Sequence, residues 1–224
     1  NASDIDIQTG RVTVTDGGGF SGTSTTSNGE LGIGGGTFTV TAGAVAGALD
    51  LHSGTSEFTG DDLTLTTLKV TGGTHKINNT INAASLDWVG GSTAQIDSLG
   101  SGTGILNLTG NSFLRSTSGD MIIENGLIIN NTGTVKYSGT GSNSRLLSLG
   151  ATFNNKNGGV FEFTDDSDIK GYVNVGSFNN EGTLRKTAGS GENIFGVSAS
   201  DVKFYNLNAS DIDIQTGRVT VTDG

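Results

Sequence analysis

Apolar and polar residues alternate along most of the chain in short runs, each closed by glycine, asparagine or serine. Alternation of period two predicts β-strands with one buried face, and the punctuation predicts turns between them. Long helical patterns are missing. One motif recurs: two apolar residues around a third, two more positions, a glycine, then further alternation. It reads IDIQTGRVTV (Ile5 to Val14), LGIGGGTFTV (Leu31 to Val40), LDLHSGTSEF (Leu49 to Phe58), LKVTGGTHKI (Leu68 to Ile77), LDWVGGSTAQI (Leu86 to Ile96) and LNLTGNSFLR (Leu106 to Arg115). Its second apolar residue falls at Ile33, Leu51, Val70, Trp88 and Leu108, in steps of 18, 19, 18 and 20 residues. A second motif then takes over: INNTGTV from Ile129, FNNKNGGV from Phe153, FNNEGTL from Phe178 and a degenerate FYNLNASDIDI from Phe204, in steps of 24, 25 and 26 residues.

A strand pair of this length cannot bury its apolar side alone. Stacked copies can, so a short period of about 18–26 residues predicts the rungs of a β-solenoid. Leu49 and Leu51, like Ile5 and Ile7, are expected to point into the core, with Asp50 and Asp6 outward. The glycine after each pair suits a corner of positive φ. The paired asparagines suit a second corner in the left-handed region, and stacked asparagines can hydrogen-bond up the ladder. The chain has no proline, which fits rungs that each need their backbone N–H groups. Trp88 is expected in the core, aligned with Val70 and Leu108.

A longer period overlies the short one. Residues 1–17, NASDIDIQTGRVTVTDG, recur without mismatch at residues 208–224, an offset of 207 residues. The reading is one repeat unit, 1–207, followed by the start of the next, 208–224. A single unit whose opening segment was copied onto its end would give the same identity, but the repetitive interior favours an array. Roughly ten rungs fit one unit, about 45–50 Å at ~4.8 Å per rung.

Composition narrows the function classes. The 38 glycines and a charged fraction of 15 % stand against roughly 25 % charged in ordinary soluble domains. Abundant threonine, valine and isoleucine argue against a disordered tail. A net charge of −10 repels the phosphate backbone and speaks against nucleic-acid partners. No apolar run approaches the length of a membrane span. No signal peptide is visible, which is uninformative for an internal window on a longer chain. Without cysteine there are no disulfides or thiolate metal sites, although secreted bacterial proteins often lack cysteine too.

The segment FNNEGTLRKTAGSGENIFGV (Phe178 to Val197), with the NASDIDIQTGRVTV that follows at 208–221, resembles the FNN-x-GT…V-x-V-x-x-G-x-L-x-L repeats of very large bacterial surface and adhesin-like proteins, autotransporter-like or filamentous-haemagglutinin-like. The likeness is loose over most of the chain and best from Phe153 to Val221. It implies an all-β, right-handed parallel β-helix acting outside the cell as a stalk, adhesin or fibre. It implies no catalytic residues, and end-to-end neighbours of the same unit as partners. The faithful 207-residue duplication departs from the usual degenerate repeats and suggests a uniform fibre.

Candidate chemistry is sparse. Asp165, Asp166 and Asp168 could supply part of a calcium site, and Asp61–Asp62 form a second acidic pair, yet neither follows an established calcium-loop spacing. Paired carboxylates also cleave polysaccharides, but these clusters lie about 100 residues apart, and no enzyme or cofactor is expected. His52 and His75, the only histidines, lack further zinc ligands and read as exposed turn or strand residues. Tyr137, Tyr172 and Tyr205 are candidates for surface-glycan contact. Threonine rows at Thr13–Thr15, Thr37–Thr39–Thr41 and Thr64–Thr66 read as outward strand residues rather than an ice-binding face.

Overall fold

The computed structural model describes residues 5–22, 24–41, 45–91, 94–99, 104–118, 121–139, 150–171, 175–196 and 202–222. These residues form a right-handed parallel β-helix without α-helix, every strand pairing being parallel. The first four layers each hold a long strand and a short one. They are β1 (Ile5–Val14) and β2 (Gly18–Phe20); β3 (Ser24–Ile33) and β4 (Thr37–Val40); β5 (Val45–Leu51) and β6 (Thr55–Phe58); β7 (Leu63–Val70) and β8 (Gly73–Ile77). Three strands then form a layer: β9 (Thr80–Ala83), β10 (Leu86–Gly91) and β11 (Ala94–Ser98), followed by β12 (Ile105–Leu108), β13 (Asn111–Ser118) and β14 (Ile122–Glu124). The seventh layer contributes β15 (Ile128–Asn131) and β16 (Thr134–Gly139), the eighth β17 (Thr152–Asn155) and β18 (Val160–Phe163). The last two are β19 (Gly176–Asn180), β20 (Thr183–Lys186) and β21 (Glu192–Phe195), then β22 (Val202–Asn206), β23 (Asp211–Ile214) and β24 (Arg218–Val221). About eight turns lie between the two terminal layers.

Three lateral faces result, numbered here in chain order. The first runs through β9, β12, β15, β17, β19 and β22; the second through β10, β13, β16, β18, β20 and β23. β7 spans both, since Leu63–Leu65 pair with β9 while Leu68–Val70 pair with β10. The third face carries β2, β4, β6, β8, β11 and β14, and resumes with the Ile169–Phe195 bridge, β21 and β24.

The alternation seen in the sequence becomes an inside and an outside. β17, β18, β20 and β21 each alternate half-buried and buried residues. Leu49, Leu51 and Ile7 are buried as expected. Glycine corners differ between the two ends of the helix. Gly35, Gly54 and Gly73 all have positive φ, and a Cβ on Gly54 or Gly73 would lie 2.5 Å from the carbonyl oxygen of the glycine one layer below. At Gly133 and Gly182 in the later layers close approach alone demands glycine: a Cβ there would lie 2.2 Å from a carbonyl oxygen of the layer beneath.

Two expectations are corrected. Trp88 is buried, but its neighbours are Val70 and Leu114, not Leu108. From the fifth layer the long strand splits in two, the turn lengthens, and Leu108 falls on the first face beside Ala83. The paired asparagines do not occupy left-handed corners. Asn130–Asn131, Asn154–Asn155 and Asn179–Asn180 end strands, whereas positive φ among described non-glycine residues occurs at Asp16, Asn125 and Asn208. Asp50 alternates with the inward Leu49 and Leu51 as expected, and it is buried because Arg11 lies over it.

The asparagines form two hydrogen-bonded ladders. Inside, Nδ2 of Asn131, Asn155 and Asn180 each donates to Oδ1 of the next residue in the series Asn155, Asn180 and Asn206, at 2.8 Å every time. Outside, the direction reverses: Asn179 donates to Asn154, Asn154 to Asn130, Asn130 to Asn107 and Asn107 to Asn82, at 2.8–2.9 Å. The opposed directions let neighbouring columns of amide dipoles offset each other. Beside the inner ladder the Phe153 and Phe178 rings stack at 5.1 Å and 2°, and Phe161 meets both edge-on.

Candidate functional site: the open ends and the repeat junction

The duplicated segment is folded twice. Its first copy is a single strand, β1, lying against β3 with Ile7 beside Thr26, Val12 beside Leu31 and Val14 beside Ile33. Its second copy is broken by the Gln215–Thr216–Gly217 corner into β23 and β24. β23 lies on β20, with Leu184 beside Ile212 and Lys186 beside Ile214. β24 lies on β21, with Glu192 beside Arg218 and Phe195 beside Val221. The second copy of the segment therefore lies in register on β20 and β21, which precede it in the chain.

That junction is matched in charge. Arg185 pairs with Asp213 at 2.9 Å and Arg218 with Glu192 at 2.7 Å. The Arg218 hydrogen bond, then that of Thr220, holds the Glu192 carboxyl below its ordinary range, and Glu192 in turn raises the Arg218 guanidinium. The corresponding arginine of the first copy, Arg11, faces the other way. It pairs with Glu30 at 3.2 Å and Asp50 at 2.6 Å. Gly32 makes room for it: a Cβ there would stand 2.7 Å from the guanidinium.

Exposed large apolar residues collect in the last layer, with a single one in the first. Val12 is uncovered in the first layer; Tyr205, Leu207, Ile212, Ile214 and Val221 are uncovered in the last, Ile212 at 47 %. Phe113 and Val175 are the other large apolar residues exposed among the described residues. Monomers rarely leave apolar strands and unpaired ladder groups together at an edge, because both invite further strands.

The other candidate residues resolve individually. Asp165, Asp166 and Asp168 form a connected loop after β18. Its internal cation is Lys186, fully buried, whose Nζ donates to Asp166 Oδ1 at 2.7 Å, Asn193 Oδ1 at 2.6 Å and the Asp165 carbonyl at 3.1 Å. That hydrogen bond lowers the Asp166 carboxyl. Asp165 accepts from the Gly139 and Ser167 backbone, and Asp168 pairs with Lys170 at 3.2 Å. Among the described residues no group of three or more histidine and acidic side chains is arranged to hold a metal. Asp62 accepts from the Thr80 backbone and Asp61 from the Asn79 side chain, through its carbonyl, so both tie one layer to the next.

His75 is not an exposed turn residue. It is buried on the third face, where Nε2–H donates to the Gly72 carbonyl at 2.7 Å and Nδ1 accepts from the Ser56 hydroxyl at 2.7 Å. Desolvation lowers its pKa to about 4, so the ring is neutral and both nitrogens are in use. His52, one layer below, accepts from Arg11 at 2.9 Å. Tyr137 is buried rather than available to a glycan, its hydroxyl donating to the Asp168 carbonyl at 2.9 Å. Tyr205 is exposed in the terminal layer, and Tyr172 lies outside the described residues.

Two features escaped sequence reasoning. Asp97 and Glu124 stack as register partners on the third face. Burial raises both carboxyls, and the charge of Asp97 raises Glu124 further. Their 27-residue separation matches neither motif period, so only the register reveals them. Phe113, exposed on the second face, carries the Arg115 guanidinium 5.5 Å from its ring centre, and Arg115 also bonds Asp87. No family model, curated protein or solved structure matches this chain. No helix among the described residues is long and apolar enough to cross a membrane.

Proposed function

We propose that this chain is a structural repeat unit of a long extracellular fibre, stalk or adhesin of a bacterial surface, built by end-to-end stacking of β-solenoid units, and that it is not an enzyme. One observation carries the reading. The segment that opens the 207-residue unit lies, on its second occurrence, in hydrogen-bonded register on the layer that closes it, with two matched ion pairs. The apolar residues exposed on the last layer, and Val12 on the first, support it, since a neighbouring unit would bury them. The mechanism is mechanical: inter-layer hydrogen bonds run along the axis, so a pull on the ends loads many in parallel. Electron microscopy of the native material tests it. Filaments with an axial repeat near 45–50 Å, expected from ~4.8 Å per layer, support the reading; isolated globular particles sink it.

A second reading rests on Phe113. An exposed aromatic ring flanked by Arg115 and Asp87 suits a sugar face and its hydroxyls. In that reading each unit also binds a surface glycan. Glycan-array binding that is lost in Phe113→Ala supports it; binding unchanged by that substitution excludes this ring.

A further inference from the structure

We propose that successive units stack with an advance of one lateral face, so that each unit is turned by about a third of a revolution relative to the one before. The proposal rests on the tandem-stacking reading above and adds the geometry of the junction. Identical residues occupy different faces at the two ends of the chain. In the first copy Ile5–Ile7 lie on the first face: they pair with Ser24–Thr26, whose strand continues through β5 and β7 to β9. Val12–Val14 lie on the second face, leading through Leu31–Ile33, Leu49–Leu51 and Leu68–Val70 to β10. In the second copy Ile212–Ile214 lie on the second face, against β20, and Arg218–Val221 on the third, against β21. Between the copies the chain climbs from the first layer to the last and gains one face.

The two copies supply complementary halves of one junction. The second copy shows what lies beneath the segment, β20 and β21. The first shows what lies above it, β3 and then β5. Joined, they leave neither edge of the segment unpaired. Its arginine then stands between Glu192 of the preceding unit and Glu30 and Asp50 of its own, three carboxylates gathered from two units. One of its aspartates joins too: Asp213 reaches Arg185 below, while Asp6, its counterpart, lies beside Thr25 above.

The array is therefore a screw, as small per-repeat rotations make solenoids in general. No lateral side of the fibre is chemically uniform. A patch such as Phe113–Arg115–Asp87 points in three directions over three consecutive units and regains its bearing only at the fourth. Such a fibre presents its surface all round, which suits contact with many neighbours more than adhesion along one side.

A protein of two consecutive units sharing one junction segment tests this. Single cysteines are placed as Arg185→Cys in the first unit, Asp213→Cys in the junction and Thr25→Cys in the second unit, used in pairs; all three positions face outward. Oxidation is expected to close both the 185–213 pair and the pair between 213 and the second unit's residue 25, each in more than half of the molecules, because register partners on adjacent strands fall within disulfide reach. Helical reconstruction of longer arrays is expected to give an axial rise near 45 Å at ~4.8 Å per layer and a rotation near a third of a turn. If the particle doubles in length but only one pair closes, or the reconstruction shows no rotation, the one-face advance is wrong and the stacking stands. If the two units do not form one rod and neither pair closes, the stacking reading itself fails.

Discussion

The two ends of the helix solve the same packing problem with different chemistry. In the first layers the second-face column of the core is aliphatic, Leu31, Leu49, Leu68 and, in the fifth layer, Leu86, while Phe38 and Phe58 add single rings on the third face. Their corners are glycines of positive φ, and their outer surface is held by threonines and a chain of charges, Arg11, Glu30 and Lys69. From the seventh layer the core is aromatic, with Phe153, Phe161, Phe163, Phe178 and Phe195 linked ring to ring, and a ladder of buried asparagines braces the corner after the first face. Aliphatic columns can slide by a residue pair with little loss of contact. A ladder of asparagine amides cannot, because each Nδ2 and Oδ1 must meet one partner. The later layers are thus the better-specified half, and breaking single residues in each half measures how much better.

The largest effect is expected from the aromatic cluster. Phe161→Ala removes a fully buried ring that contacts Tyr137, Phe153, Phe163 and Phe178. A loss of about 4 kcal/mol is expected, against about 3 kcal/mol for Leu68→Ala in the aliphatic column, where a smaller side chain is deleted. Chemical denaturation of both variants decides it; an equal or larger loss at Leu68 would remove the contrast.

The earlier half contains a pH-sensitive histidine. His75 has a folded pKa of about 4, against an ordinary 6.5. The unfolded chain takes up a proton near pH 6.5 and the folded chain only near pH 4, so stability is full above pH 6.5 and falls as the pH drops through that window. The loss approaches roughly 3 kcal/mol at pH 4 from this group. Denaturation midpoints between pH 7 and pH 4 are expected to fall steeply in the wild type and less in His75→Gln. Parallel curves for the two proteins would show that His75 is not the group responsible.

Next comes the asparagine ladder. Asn155→Ala takes one of the two acceptors from the Asn131 amide, which keeps the Val160 carbonyl, and removes the Asn155 donor from Asn180 Oδ1 and the Thr183 carbonyl. Unsatisfied buried groups cost about 1–3 kcal/mol each, with partial relaxation, so a net loss of about 2–3 kcal/mol is expected. Asn154→Ala, one position away in the outer ladder, is expected to lose under about 1 kcal/mol, since water can replace its partners.

How much of this was legible in the sequence follows from the same contrast. Alternation predicted the strands and their buried faces, and the motif periods predicted the rungs, because burial on stacked strands leaves a direct trace in residue type. Leu49, Leu51 and Val70 fell where expected. Nothing in LDWVGG announces that the long strand divides, so the motif aligns Trp88 with Leu108 where the fold places Leu114. His75 and Tyr137 were assigned to the surface because their partners, Ser56, Gly72 and Asp168, are brought close by stacking and not by spacing. Lys186 was invisible as an internal cation for the same reason: its acceptors lie 20 residues before it and seven after it. The seventeen-residue duplication was plain, but its two different faces were not, since identical sequences carry no sign of which strand lies beneath them.

The smallest effects, and the most direct comparison, come from one arginine in two settings. Arg11 and Arg218 are the same residue of the duplicated segment. Arg11 covers Asp50, whose side chain is 4 % exposed, at 2.6 Å. Arg11→Gln strands that carboxylate under an uncharged cover. Removing one partner of a buried pair can cost 3–5 kcal/mol, but Arg11 is itself partly solvated, so a loss of about 2 kcal/mol is expected. Arg218 pairs with Glu192 at the open edge, where its side chain is 71 % exposed, and Arg218→Gln is expected to leave the stability of this chain unchanged. In a chain of two consecutive units the shared junction arginine has neighbours on both sides, so Arg218→Gln should there acquire the cost seen at Arg11. Denaturation of the single-unit and two-unit proteins with and without that one substitution measures the difference. A silent substitution in both would mean that the junction does not bring Asp50 and Glu30 of the following unit onto this side chain.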